Sequence, residues 1–259
     1  MKVLVTGAGG NVGSAVMAEL RARGVQARAF DRFSETIDAA MRGTDRLFLS
    51  CSNVREQVEF ETSAIDAAAA AGVERLVKLS ASGAAVDSPL VFWDWHGRIE
   101  QHLRTSGVRA VVLRPTNLMT NVLVQADAIA ATGKLFAPAG DAGIAMIDPR
   151  DVGAVAAAAL VDDDVAPGTY VLTGPRAITH AEIAAELGAE YVDLPPHAAR
   201  AGMIESGLPE FVVDFLVRLF AELRAGAMSQ TTTIVRELTG QEPRDFTAFA
   251  RERFGAVAT

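Results

Sequence analysis

Met1-Lys2-Val3-Leu4-Val5-Thr6-Gly7-Ala8-Gly9-Gly10-Asn11-Val12-Gly13-Ser14 opens a chain of 259 residues. Val3-Leu4-Val5 is a β-rich run, and from Val12 to about Arg23 apolar residues recur at helical spacing, with Val12, Val16 and Leu20 on one face. The glycines lie between strand and helix. One glycine permits a tight turn, another lets the backbone approach a diphosphate, and a third lets helix and strand pack closely. The diphosphate then rests on unpaired N–H groups at the positive end of the helix. The stretch therefore predicts a dinucleotide held by Gly7, Gly10, Asn11, Val12 and Gly13. It has no G-K-[ST] ending, which disfavours a P-loop.

Working outward, β-rich runs alternate with helical patterns. Strands are expected over Val25 to Phe30, Arg46 to Leu49, Arg75 to Leu79 and Val108 to Leu113, the last ended by Arg114-Pro115. Helices are expected over Ser34 to Met41 with a serine cap, Val54 to Ala71 stopped by Gly72, and Pro89 to Thr105. Short links in a strand–helix alternation imply right-handed crossovers and a parallel sheet. Beyond residue 116 helices dominate, with short strands such as Thr169 to Leu172. The expected architecture is α/β, a Rossmann-type doubly wound parallel sheet with a small, mainly helical C-terminal substrate region. Residues 1–115 form the dinucleotide-binding core, 148–173 return to it, and 116–147 with 174–259 form the helical region. The helix over Glu210 to Arg224 carries Phe211, Val212, Phe215, Leu216, Leu219 and Phe220 on one stripe, read as core or subunit interface and compatible with a homodimer.

Half the residues are hydrophobic, enough for a substantial core, and the net charge of −8 gives no global attraction to a phosphate backbone, so no nucleic-acid partner is expected. Cys51 is the single cysteine, which excludes an internal disulfide. Too few apolar residues precede Gly7 for a signal peptide, and no apolar run approaches the roughly 20 residues of a membrane helix. The expectation is a cytoplasmic protein without a membrane partner.

Parallel sheets present ligand-facing groups at the carboxyl ends of their strands. After the second strand, Asp31 would accept from ribose hydroxyls and favour NAD(H), whereas the adjacent Arg32 would pair with a 2′-phosphate and favour NADP(H). Asn53 follows the third strand and faces the adenosine side. Ser80 and Ser82 end the fourth, and Pro115 fixes the turn after the fifth, where the nicotinamide is expected. His96 either donates a proton, holds the nicotinamide ribose, or is a helix-surface histidine without chemistry. Trp93 and Trp95 either stack on an aromatic substrate or pack. Cys51 reads as a small buried hydrophobe. The four histidines have no metal-ligand spacing, so no metal is expected.

Several stretches together resemble the NmrA-like group of atypical short-chain dehydrogenase/reductases, which includes NAD(P)H-dependent quinone and dye reductases and redox-sensing regulators. They are the opening Val3 to Gly13, Ile65 to Val77, His96-Gly97-Arg98-Ile99-Glu100 through Ser106-Gly107, and Leu113-Arg114-Pro115 to Asn121. Asp148-Pro149-Arg150-Asp151-Val152-Gly153 and Thr239 to Phe246 complete the set. The resemblance implies that Ser82 corresponds to the serine that hydrogen-bonds a substrate carbonyl. It also exposes two departures. Only Val25 to Met41 fills the space of two strands and a helix, so about one strand–helix unit is missing and Asp31 has two family counterparts. The Tyr-x-x-x-Lys of classical relatives is absent, for Tyr170 and Tyr191 lie far downstream and Trp93 to Arg98 occupies the corresponding helix.

These residues lead to two expectations. The first is an NAD(P)H-dependent oxidoreductase, NADP(H) slightly favoured, that passes a hydride to a quinone-like or conjugated carbonyl small molecule, with His96 and Ser82 at the reacting centre. A quinone needs less acid assistance than a ketone, which fits the missing tyrosine. The second is an NAD(P)-sensing regulatory protein without turnover. An epimerase is disfavoured because it would want the tyrosine.

Overall fold

A computed structural model of the chain describes residues 1–255. In chain order the first stretch contains β1 (Lys2–Val5), α1 (Asn11–Ala22), β2 (Gln26–Ala29), α2 (Ile37–Met41) and β3 (Arg46–Leu49), then α3 (Gln57–Ala71), β4 (Arg75–Leu79), α4 (Val91–Thr105) and β5 (Ala110–Pro115). A 3₁₀ segment (Met119–Gln125), α5 (Ala126–Thr132), β6 (Lys134–Ala137) and β7 (Gly143–Ile144) precede α6 (Pro149–Val161) and β8 (Gly168–Leu172). The rest comprises β9 (Ile178–Thr179), α7 (His180–Glu186), β10 (Glu190–Asp193), α8 (Pro196–Glu205), α9 (Glu210–Arg224), α10 (Ile234–Thr239) and α11 (Phe246–Phe254). No described helix is long and apolar enough to cross a membrane.

These elements form two units. The first holds Met1–Pro115, Pro149–Leu172 and Thr233–Gln241. Its sheet has six strands in the order β2-β1-β3-β4-β5-β8, every pairing parallel. This is the expected doubly wound α/β sheet. Among the described residues nothing pairs outside β2, which leaves the sheet one strand–helix unit short on that side. The order reverses between β2 and β3, on either side of β1, and such a reversal opens a crevice at the carboxyl ends of the strands.

Side chains alternate across the strands, so one face carries Leu4, Leu47, Leu49, Leu76 and Val112 against Ala40 and Met41 of α2, Ala64 and Ile65 of α3 and Ile99 and Leu103 of α4. Each fully buried leucine contributes about 2 kcal/mol by leaving water. The opposite face is covered by α1 and α6. α6 is nearly all small residues and nearly all buried, which permits close approach: a Cβ on Gly153 would stand 2.6 Å from that of Ala15 in α1. Two buried arginines close the far end of α6. Arg46 Nη1 donates to Leu160 O at 2.7 Å and Arg75 Nη1 to Ala159 O at 2.9 Å, cations placed at the negative end of the helix dipole.

The second unit, Thr116–Asp148, Thr173–Thr232 and Glu242–Thr259, carries two small sheets, parallel β6–β10 and antiparallel β7–β9, among helices. The sequence assigned all of 174–259 to the helical region, but α10 belongs to the first unit, packed on α6. Two local expectations also change. α2 starts at Ile37, not Ser34, because Thr36 caps Ala39 N while the Ser34 hydroxyl bonds Asp31 instead. On α9 only Val213 and Leu223 are buried, and the predicted stripe stays partly exposed.

Candidate functional site

The glycine loop builds the most sharply shaped part of the first unit. Gly7 lies at φ +62°, where a side chain would be strained, and its absent Cβ would stand 3.0 Å from Ser50 O. A Cβ on Gly13 would come within 2.1 Å of Gly7 O, so α1 reaches the loop only because position 13 is glycine. Gly10 N donates to Gly7 O, and Gly10, the N-cap, has no side chain to close the first turn of the 12-residue α1. The shape of the cradle, with open N–H groups at the start of α1, is compatible with a diphosphate. Thr6 Oγ1 donates to Ser50 O at 2.8 Å and accepts from Ser50 N at 2.8 Å, locking the carboxyl ends of β1 and β3 together.

After β2, Phe30 N donates to Val5 O and the chain turns outward. The Asp31 carboxylate accepts from Phe33 N at 3.0 Å and Ser34 Oγ at 2.5 Å, and these bonds, that of Ser34 first, hold its carboxyl below the usual range. Both carboxylate oxygens are thus engaged in the turn. Arg32 is exposed, its guanidinium 5.0 Å from the Phe33 ring, and Phe33 is itself 87% exposed. Asn53 is exposed in the link between β3 and α3.

The carboxyl ends of β4 and β5 meet one face of α4. Ser82 N donates to Pro115 O at 3.0 Å, which brings these two predicted residues together. Ser80 Oγ is committed elsewhere, donating to Glu100 Oε1 at 2.6 Å, while Arg114 grips both oxygens of Glu100 at 2.9 and 2.5 Å. The loop after β4 folds back on α4: Ala85 N donates to Trp93 O and Asp87 N to Asp94 Oδ1. The Trp93 indole covers Gly83, where a Cβ would stand 2.3 Å from the ring, and Trp95 packs 5.2 Å from Phe92. Both tryptophans make packing contacts and remain partly exposed. Both tyrosine hydroxyls are engaged with acceptors, Tyr170 with Ala166 O and Tyr191 with Ala137 O and Asp193.

His96 is not a surface histidine; it is 8% exposed, one turn before Glu100 on the inner face of α4. Its Nδ1 lies 3.2 Å from Lys78 Nζ. Burial first, then the positive charges of Lys78 and Arg114, push the imidazole well below its ordinary pKa, so the ring is neutral at pH 7. Lys78 itself is fully buried, 2.7 Å from the equally buried Glu61 of α3. Burial raises the Glu61 carboxyl, opposed by Lys78, by the Gln57 amide and by the Cys51 N–H. The Cys51 thiol is half-buried and pushed up, chiefly by burial and then by Glu61. Sequence reading passed over Lys78 and Glu61. The available signal was a lysine in an otherwise apolar parallel strand, where both faces are covered and a charge demands a partner. Among the described residues no group of side chains could hold a metal ion.

The chain is similar to several known proteins. The chain is 35% identical over 249 residues to the NAD(P)H azoreductase of Xenophilus azovorans, covering 92% of this chain and 87% of that protein. It is 34% identical over 282 residues to the (4-alkanoyl-5-oxo-2,5-dihydrofuran-3-yl)methyl phosphate reductase of Streptomyces griseus, covering 99% of each. Among solved structures, the NADPH-dependent quinone oxidoreductase of Escherichia coli in complex with NADPH superposes with a TM-score of 0.86 at 26% identity, covering 97% of this chain and 99% of that one. The NmrA-like family model matches residues 26–192, from β2 into β10, so the glycine cradle before it stands on its own geometry. With nearly two thirds of its length matched by that model and full-length relatives above 30% identity, this chain belongs to the NmrA-like family.

Proposed function

We propose that this protein is an NAD(P)H-dependent oxidoreductase that reduces a small conjugated acceptor of the quinone or conjugated-carbonyl type. The observation that carries the proposal is the glycine cradle, too tight at Gly13 for any other residue, on the same carboxyl edge of the sheet as a buried neutral histidine. The reduced nicotinamide, when bound, supplies a hydride. The chain's own residues bind, orient and manage the proton that follows. Gly7, Gly10, Asn11, Val12 and Gly13 hold the diphosphate. Asn53 faces the adenosine side, Ser80 and Pro115 shape the nicotinamide end, and the Ser82 hydroxyl donates to the acceptor oxygen. His96, neutral at pH 7, places an N–H beside the oxygen on which negative charge develops. The azoreductase and quinone oxidoreductase activities of the relatives support this acceptor class.

NADP(H) is the preferred coenzyme. Asp31 spends both oxygens on its own turn, and a carboxylate so engaged is a poor ribose acceptor, whereas the exposed Arg32 offers a planar fork suited to a 2′-phosphate. Side-by-side kinetics with NADPH and NADH against quinones and azo dyes test both statements. Turnover with a lower KM for NADPH is expected, and Arg32→Ala should raise that KM by about 10-fold or more while leaving the KM for NADH nearly unchanged. Tight coenzyme binding with no turnover on any acceptor would replace the oxidoreductase by a sensor.

A further inference from the structure

β4 carries Leu76 and Lys78 two residues apart, hence on the same face of the sheet, and Leu76 belongs to the apolar cluster under α3 and α4. Lys78 therefore extends between those two helices. There α3 presents Glu61, one turn after Gln57 and one turn before the core residue Ile65, and α4 presents His96. Lys78 and Glu61 are both fully buried. Moving such a pair out of water costs several kcal/mol per ion, and an apolar pair of similar volume is often at least as stable. Stability alone gives no reason for this pair.

Its donor arithmetic does. Lys78 Nζ forms an ion pair with Glu61 Oε2 at 2.7 Å, donates to the Leu79 carbonyl oxygen, and lies 3.2 Å from His96 Nδ1. An ammonium has three N–H donors and no acceptor. Nδ1 of His96 must then accept, which leaves the ring's single hydrogen on Nε2. Glu61 faces the Lys78 ammonium and is itself held by the Gln57 amide, which donates at 3.3 Å, and by the Cys51 N–H. Nε2 meets no protein acceptor among the described residues, yet it is not one of the sealed polar atoms lacking a partner. The N–H is thus free to meet a ligand at the ring's remaining exposure. The other charges around the ring, Arg114 and Glu100, are paired with each other.

We infer that Lys78, anchored by Glu61, is a positioning residue that fixes His96 as the Nε2–H tautomer, so that the ring offers one N–H donor to the bound coenzyme or acceptor. This deepens the proposed reductase function and rests on it for the purpose of the donor, but the tautomer itself is a property of the free protein. Nothing need be transferred to or from Lys78, which acts only through the lone pair it occupies.

The experiment is a long-range ¹H–¹⁵N correlation spectrum of the ligand-free full chain with labelled histidines, His96 being assigned by the signals lost in His96→Gln. At neutral pH the proton is expected on Nε2, with Nδ1 bare. The double variant Lys78→Met/Glu61→Leu removes both buried charges together and so avoids leaving one unpaired. It should give a mixture of tautomers and lower kcat by about 10-fold or more, with NADPH affinity held within about twofold. A proton on Nδ1 in the unmodified protein would overturn the inference, as would an unchanged His96 spectrum in the double variant. Absence of turnover on every acceptor would remove the reductase and leave the spectrum to decide the tautomer on its own.

Discussion

In the first unit Lys78 and Glu61 face each other with no exposed side-chain surface, whereas in the second Arg224 and Asp193 are paired with 40% and 39% of their side chains in solvent. The second pair is geometrically the better one, with two parallel bonds of 2.7 and 2.8 Å, and Arg224 holds the Asp193 carboxyl down at about 2. Solvent screening nevertheless leaves such a pair little influence on stability. The buried pair has poorer reason to exist as a structural element and stronger consequences if broken. The contrast separates a charge that orients a site from charges that decorate a surface.

Breaking the buried pair on one side should have the largest effect. Lys78→Met leaves Glu61 uncompensated and is expected to lower stability by about 3–5 kcal/mol in urea unfolding, with the added Glu61→Leu recovering most of it. A single variant as mild as a surface change would erase the contrast between the two units. Next come the glycines. Gly13→Ala drives a Cβ into Gly7 O and should cost about 2 kcal/mol together with most of the dinucleotide affinity. Gly202→Ala, on α8 with open space around it, should stabilise by roughly 0.5–1 kcal/mol. Equal and opposite-free results, with both substitutions neutral by calorimetry and coenzyme titration, would show that the cradle is not tight.

Acidification sharpens the comparison further, since each unit holds a histidine away from water, His96 buried and His180 partly buried. His96 lies well below its ordinary value, and burial lowers His180 to about 4. Both stay neutral in the native protein while the unfolded chain takes up a proton near pH 6.5. Stability should therefore be flat above about pH 6.5 and fall as pH drops toward 4, by at most about 1.4 kcal/mol per pH unit for each histidine. His180→Gln should reduce that slope, and a slope unaltered by it would place the loss elsewhere. Asp193, whose native value is depressed, adds its own loss only below about pH 4. The smallest effect belongs to Asp193→Asn, expected to shift Tm by about 2 °C or less and to shrink further in salt.

The parts of the site that were legible in the sequence are local ones. Gly7, Gly10 and Gly13 sit within seven residues, and strand, turn and helix are each encoded by their own short periodicity. The ends of β3, β4 and α9 follow from such patterns to the residue. The start of α2 does not, because Ser34 and Thr36 compete for the cap and Asp31 takes Ser34 away. By strand pattern alone Ser80 and Ser82 both end the fourth strand, and only the resemblance set Ser82 apart. Only the arrival of Glu100 from α4 commits one hydroxyl and leaves the other with Pro115 O as its neighbour through the main chain. His96 carried three readings in sequence, and burial on α4 removed the surface one.

By itself the sequence determined the glycine loop and the parallel α/β alternation, because each is written in residues close together and enforced by backbone sterics and helical or strand period; the missing strand–helix unit was legible only through the family resemblance, and the sheet order placed it beside β2. Tertiary structure alone decided which charges are buried. It brought Glu61, Lys78 and His96 from two helices and a strand to one point, where a low-dielectric surrounding makes the geometry of a single lone pair consequential.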